Sequence, residues 1–239
     1  MNAVAPLLRV AGLNAGYGRA QVLFGVTLEL QRGEVVALMG RNGAGKSTTQ
    51  KAIAGLLDNT GGEIIFDGRS LRGLPSFRIA RLGLGYVPEE RRIFTELTVR
   101  ENLEVGRLPR RDDAPYWDEA RVYELFPTLA AMPDRLGGRM SGGEQQMLTV
   151  ARSLMGNPRL LLLDEPSEGI APKIVEQMAH AVQALKREGL SVLLSEQNFA
   201  FANFVADRAY VLDKGQVCYQ GELAQLLVQP DLRREYLAL

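Results

Sequence analysis

The chain has 239 residues, 46% hydrophobic and 23% charged, an ordinary balance for a globular protein able to bury a sizeable core. The formal net charge of +0 leaves no global basic field to recruit nucleic acid, and a single cysteine, Cys218, excludes an internal disulfide. No apolar run is long enough to span a bilayer, and "MNAVAPLLRV" lacks the basic start and long apolar stretch of a signal peptide, so any membrane role is expected to pass through a partner.

"LLRVAGLNAGYG" and "VLFGVTLELQRGE" alternate apolar and polar residues between glycines and asparagine, which predicts antiparallel strands. "EVVALMG" is a short apolar run, read as a buried strand. "KSTTQKAIAGLL" follows at helical spacing, and "GGEIIFDGRSL" returns to strand and turn. From "LTVRENLEVG" to "SGGEQQMLTVARSLM" the pattern is mostly helical, broken at Pro109, Pro115, Pro127 and Pro133, with Arg110 to Asp113 as a solvated connector. "RLLLLDE" is a continuous apolar strand ending in two acids. "PKIVEQMAHAVQALKREG" is a helix, with Pro172 at its start and Gly189 past its end. "SVLLSEQ" and "RAYVLDKGQVCYQG" supply the last strands, in which Val217 and Tyr219 beside Cys218 predict plain strand packing. Strands alternating with helices predict an α/β fold with a mostly parallel sheet and an inserted helical subdomain.

"GRNGAGKST", comprising Gly40, Arg41, Asn42, Gly43, Ala44, Gly45, Lys46, Ser47 and Thr48, matches the phosphate-loop pattern. The glycines let backbone N–H groups turn inward around phosphate oxygens, and the following helix aims its positive end at them. Lys46 is expected to reach the β- and γ-phosphates and Ser47 to offer its hydroxyl to Mg²⁺. Asp164 and Glu165 end a buried strand, where α/β sheets bind ligands. Downstream of a phosphate loop, Asp164 is expected to hold Mg²⁺ and Glu165 to act as general base toward water.

"SGGEQQ" opens another helix and alone reads as a helix cap. "GRNGAGKST", "SGGEQQ" and "LLLLDEPS" in this order resemble the ATP-binding cassette of ABC transporters over nearly the whole chain. The resemblance implies a RecA-like P-loop NTPase core, about residues 1–88 and 157–239, with an antiparallel β subdomain and a helical subdomain at about 89–156. It implies ATP and Mg²⁺ as ligands. It implies that Ser141, Gly142, Gly143 and Glu144 meet ATP held by an opposite cassette, and that Tyr17 stacks on adenine. The loop "YVPEERRIF" would meet Mg²⁺ on one side and a membrane subunit on the other.

Three positions depart from that pattern. Glu89 stands where the loop carries glutamine, Ala171 where an aspartate is usual, and Gln197 where a histidine faces the γ-phosphate. Gln197 is expected to hydrogen-bond the γ-phosphate or the water through its amide. The single histidine, His180, points away from the apolar face formed by Ile174, Met178, Val182 and Leu185, and reads as exposed and uninvolved. "VPEERRIF", "LFPTL", "EGIAP" and "LLSEQN" resemble importer ATPases for branched-chain and related hydrophobic amino acids or amides. That implies two permease subunits, a second cassette in a heterodimer with a homodimer as the alternative, a periplasmic solute-binding protein acting indirectly, and a peripheral place on the cytoplasmic face of a bacterial inner membrane. A soluble ABC ATPase serving iron–sulfur assembly is the alternative, with amide or urea uptake as the alternative among importers.

Overall fold

The computed structural model describes residues 5–57 and 59–227. In chain order the strands and helices begin with β1 (Leu8–Tyr17), β2 (Ala20–Leu30), β3 (Val35–Met39), α1 (Lys46–Ile53), β4 (Asn59–Phe66), β5 (Arg69–Ser70), α2 (Ser76–Arg81) and β6 (Leu84–Val87). A helical stretch follows: α3 (Val99–Gly106), α4 (Glu119–Leu125), α5 (Pro127–Ala130) and α6 (Gly142–Leu154). The chain then returns to alternation with β7 (Leu160–Asp164), α7 (Pro172–Arg187), β8 (Ser191–Glu196), α8 (Phe199–Val205), β9 (Arg208–Asp213), β10 (Gln216–Gly221) and α9 (Leu223–Leu227).

Two sheets form. One is antiparallel, in the order β2-β1-β4-β5; the other runs β10-β9-β3-β8-β7-β6, with β6 to β9 and β3 parallel and β10 antiparallel at its edge. The leucine run of β7 shows why this sheet is central. Leu161 and Leu163 face a core shared with α3 to α8, whereas Leu160 and Leu162 face a core shared with the antiparallel sheet, and all four are fully buried. At about 1.5–3 kcal/mol for each buried leucine side chain, a polar residue on either face of β7 would be costly.

Polar contacts join the layers. Arg208 on β9 donates to the Glu29 carbonyl of β2 at 2.6 Å, and Glu29 N–H donates to the Tyr210 hydroxyl at 3.0 Å. The β9–β10 turn wedges against the loop before α1: Gly215 N–H donates to the Ala44 carbonyl and Phe24 N–H donates to the Gly215 carbonyl. Gln50 of α1 donates to the carbonyls of Leu163 and Leu193 at 3.0 and 3.1 Å, which sets α1 against β7 and β8.

Helix starts follow local chemistry. Ser141 and Glu144 form a capping box on α6, as Thr98 and Glu101 do on α3. Ala171 precedes α7 without a side-chain cap, so the alanine gives up a capping acceptor, and Pro172 removes one of the N–H groups that would need it.

Two local expectations need correction. Cys218 is exposed on the edge strand β10, with its thiol against the Val211 carbonyl, because alternation along β10 turns that position to solvent. The connector 110–113 is not simply solvated: Arg111 is half-buried, and Asp113 accepts from Arg159 at 2.7 Å. His180 is exposed as expected, and its ring meets Phe204 edge-on at 5.3 Å. Among the described residues no helix is long and apolar enough to cross a membrane.

Candidate functional site

The site lies at the C-terminal ends of β3, β7 and β8, where parallel strands and the helices after them leave a crevice. Asn42, Gly43, Gly45, Lys46, Ser47, Thr48, Glu89, Glu165 and Glu168 line a cavity of about 510 Å³ there. Gly40 turns the chain out of β3 at φ +142°, and a Cβ on it would lie 2.4 Å from the Leu212 carbonyl oxygen, so only glycine fits. Arg41 and Asn42 are exposed on the loop, and Ala44 is buried beneath it.

Lys46 is nearly buried. Its Nζ donates to the Gly40 carbonyl at 2.9 Å and the Arg41 carbonyl at 3.2 Å, and lies 3.0 Å from Glu165 Oε1. Glu165 is equally buried and occupies the left-handed region at φ +49°, rare for a residue with a side chain. Its N–H donates to both the carbonyl and the hydroxyl of Ser195 at 3.1 Å.

Asp164 is gripped by three hydroxyls. Ser47 Oγ donates to Oδ1 at 2.8 Å, Ser195 Oγ to Oδ1 at 2.6 Å, and Tyr86 OH to Oδ2 at 3.1 Å. Burial and the Asp164 carboxylate push the Tyr86 phenol far up, so it stays a donor. Gln197 spans the crevice: its Nε2 donates to Asn42 Oδ1 at 2.6 Å and to the two Glu165 oxygens at 3.2 and 3.1 Å.

The acids leave the crevice negative. Glu89 and Glu168 are both pushed above the usual carboxylate range, first by burial and then by neighbouring carboxylates, Asp164 and Glu165 for Glu89 and Glu165 and Glu89 for Glu168. Lys46 is the one cation lining the described cavity, so a triphosphate would bring further repulsion unless a cation came with it. The hard oxygens of Ser47 and Asp164 suit Mg²⁺. No group of three or more His, Cys, Asp or Glu among the described residues forms a ligand set of its own, so such an ion would take its other oxygens from nucleotide and water.

The structure therefore brings Gly43, Gly45, Lys46, Ser47, Thr48, Asn42, Asp164, Glu165, Gln197 and Glu89 to one place. Ser141, Gly142, Gly143 and Glu144 do not line that cavity. They open α6, with the Glu144 carboxylate turned back to the Ser141 N–H at 2.7 Å. Gly143 is buried, and a Cβ there would meet Ile174 of α7 at 3.0 Å. Tyr17 ends β1 and is 47% exposed, on the hairpin whose second strand brings Val22 to the cavity.

Sequence reasoning missed Ser195, Tyr86 and Glu196. It also missed how α6 holds the loop after β6: Thr149 Oγ1 donates to the Arg91 carbonyl and Arg152 to the Arg92 carbonyl, each at 2.7 Å. Arg91 and Arg92 both adopt positive φ, which those two bonds sustain.

Comparisons with known proteins give the family and the fold. Residues 23–168 match the family model described as ABC transporter. The chain is 46% identical to the high-affinity branched-chain amino acid transport ATP-binding protein BraG of Pseudomonas aeruginosa, over 92% of this chain and 95% of that one. It is 34% identical to the lipopolysaccharide export system ATP-binding protein LptB of Haemophilus influenzae, over 97% of each. A crystal structure of an ATP-binding cassette of an ABC transporter in its ADP conformation superposes with a TM-score of 0.80 at 25% identity, covering 97% of this chain and 98% of that one.

Proposed function

The chain belongs to the ABC transporter family of ATP-binding cassettes, and from that premise we propose that it is the ATPase subunit of an importer for branched-chain amino acids. The observation that carries the solute class is the identity of 46% to a branched-chain amino acid cassette, against 34% to a lipopolysaccharide export cassette. The second relative favours, as the other reading, a cassette that drives lipid export.

The roles follow from the crevice. Backbone N–H groups of Gly40 to Thr48 and the start of α1 bind the phosphates, with Lys46 exchanging Glu165 for the β- and γ-oxygens. Tyr17 offers its exposed ring to the adenine. Ser47 and Asp164 would hold Mg²⁺, with Glu89 close by, and the ion when bound neutralises phosphate charge. Glu165 takes a proton from the attacking water. The water oxygen bonds to the γ-phosphorus, the bond to the ADP oxygen breaks, and the products are ADP and phosphate. Gln197 holds Glu165 by its amide and can donate to the γ-phosphate.

Ser141, Gly142, Gly143 and Glu144 serve ATP held by a second cassette, in a heterodimer. The helices within 89–156 act as the subdomain that carries them. Two permease subunits meet the groove beside the loop after β6, where Leu56, Phe77, Phe94 and Val105 stay exposed around Tyr86 and Arg152. The subunit sits peripherally on the cytoplasmic face of the inner membrane, and a periplasmic binding protein supplies the solute. Nucleotide-driven closure and reopening of the cassette pair powers alternating access.

Co-purification from solubilised membranes followed by reconstitution tests this reading. Two hydrophobic permeases, and ATPase activity stimulated by leucine, isoleucine or valine with the binding protein, are expected. Stimulation by amides or urea alone would replace the solute class, and a soluble scaffold in place of permeases would overturn the importer.

A further inference from the structure

The end of β8 holds a buried acid that the mechanism above leaves unused. Glu196 is 1% exposed, and its carboxylate accepts three backbone N–H groups: Ser167 on Oε1 at 3.0 Å, and Gln197 and Asn198 on Oε2 at 3.0 and 2.9 Å. Ser167 belongs to the loop after β7 that begins with Glu165, and Gln197 to the turn after β8. One carboxylate therefore ties together the two loops that present the proposed base and the amide that holds it.

The neighbours divide the same work. Ser195, Glu196 and Gln197 are consecutive, and each reaches across to the end of β7: Ser195 to Asp164 and to the Glu165 N–H, Glu196 to the Ser167 N–H, Gln197 to the Glu165 carboxylate. Glu165 sits at φ +49°, a conformation that persists only where its surroundings over-determine it. Burying a carboxylate is costly, and what this one supplies is acceptor capacity on two oxygens at once. A glutamine offers a single acceptor oxygen, so it can serve Ser167 or the Gln197–Asn198 pair, not both.

We propose that Glu196 is a positioning residue for hydrolysis, locking the Glu165 loop and the Gln197 turn into one piece so that base and amide hold a fixed separation. The inference rests on Glu165 acting as the base. Lost alignment is expected to slow the chemical step and spare nucleotide binding, which depends on the loop before α1, whereas Glu196 holds Ser167, Gln197 and Asn198.

The test measures kcat, KM, equilibrium MgATP binding and thermal midpoint of the full chain carrying Glu196→Gln, Glu165→Gln or both. Glu196→Gln is expected to keep MgATP affinity within about threefold and the midpoint near wild type, while kcat falls about tenfold or more. The double variant is expected to turn over no more slowly than Glu165→Gln alone, because residues acting as one unit are non-additive, a result that a merely structural role would not give. Wild-type kcat in Glu196→Gln with Glu165→Gln inactive would overturn the positioning role alone. Multiplying losses in the double variant, or a loss of affinity matching the loss of kcat, would overturn it too. Wild-type turnover in Glu165→Gln would overturn the base reading and the positioning role with it.

Discussion

Lys46 Nζ lies 3.0 Å from Glu165 Oε1, and both side chains are almost wholly removed from solvent. The cation expected to meet the γ-phosphate and the acid expected to activate water are thus each other's partner, and phosphate must compete with a carboxylate for the lysine. Glu165→Gln replaces that carboxylate by an amide whose oxygen still accepts from Lys46, so the fold survives while the base is lost. Turnover is expected to fall by about 10²–10⁴-fold, with ATP bound at least as tightly as in wild type. Single-turnover hydrolysis beside nucleotide binding checks this, and ATP-dependent dimers should accumulate.

Gln197 offers one amide to Asn42 and Glu165 together. Gln197→Ala removes hydrogen bonds to a charged partner, each worth about 1.5–3 kcal/mol, so kcat is expected to fall about tenfold or more with affinity largely kept. Gln197→His is the sharper variant. A neutral imidazole donates from one nitrogen, whereas an imidazolium donates from both, so its pH–rate profile should gain an inflection near the ordinary histidine range of about 6.5. The wild-type profile should lack one from this position. An inflection shared by wild type and Gln197→His would assign it elsewhere.

Much of this site is written in contiguous residues. Gly40 to Thr48, the acids ending β7 and the turn at Gln197 are local patterns whose chemistry can be read from residue types. Ser195 and Tyr86 could not be read that way: their hydroxyls reach Asp164 only because β8 and β6 flank β7 in a sheet ordered β10-β9-β3-β8-β7-β6. No periodicity encodes that order. The Ser141–Glu144 capping box was legible as S-x-x-E, and its cap geometry explains why Glu144 turns away from solvent toward Ser141. His180 shows the reverse limit: helical spacing places it outside the core face, but only the packing of α8 brings Phe204 to its ring.

Ser195 holds Asp164 by its hydroxyl and receives the Glu165 N–H on the same oxygen. Ser195→Ala leaves a buried carboxylate oxygen one donor short, at a cost of about 1–3 kcal/mol. The Mg²⁺ concentration for half-maximal ATPase is expected to rise several-fold, because Asp164 loses the bond that orients it. Ser195→Thr should restore most of the loss. A Mg²⁺ titration of turnover decides, and removal of Mg²⁺ by chelation should abolish hydrolysis in every variant.

Glu89 gives a prediction whose sign follows from its surroundings. Partial burial and the carboxylates of Asp164 and Glu165 raise its proton affinity in the folded protein. A carboxyl whose folded pKa lies above its unfolded one destabilises the fold at neutral pH, and that penalty is relieved as pH falls through the raised value. Glu89→Gln removes the charge. Without Mg²⁺ at pH 7 to 8 the variant should therefore be more stable than wild type, by less than about 1 kcal/mol after screening by solvent, read as a higher thermal midpoint, and the gap should close in mild acid. Added Mg²⁺ should stabilise wild type more than Glu89→Gln, since the ion offsets the same repulsion. A variant less stable than wild type at pH 8 without Mg²⁺ would show that Glu89 is held by an attraction rather than strained by its neighbours.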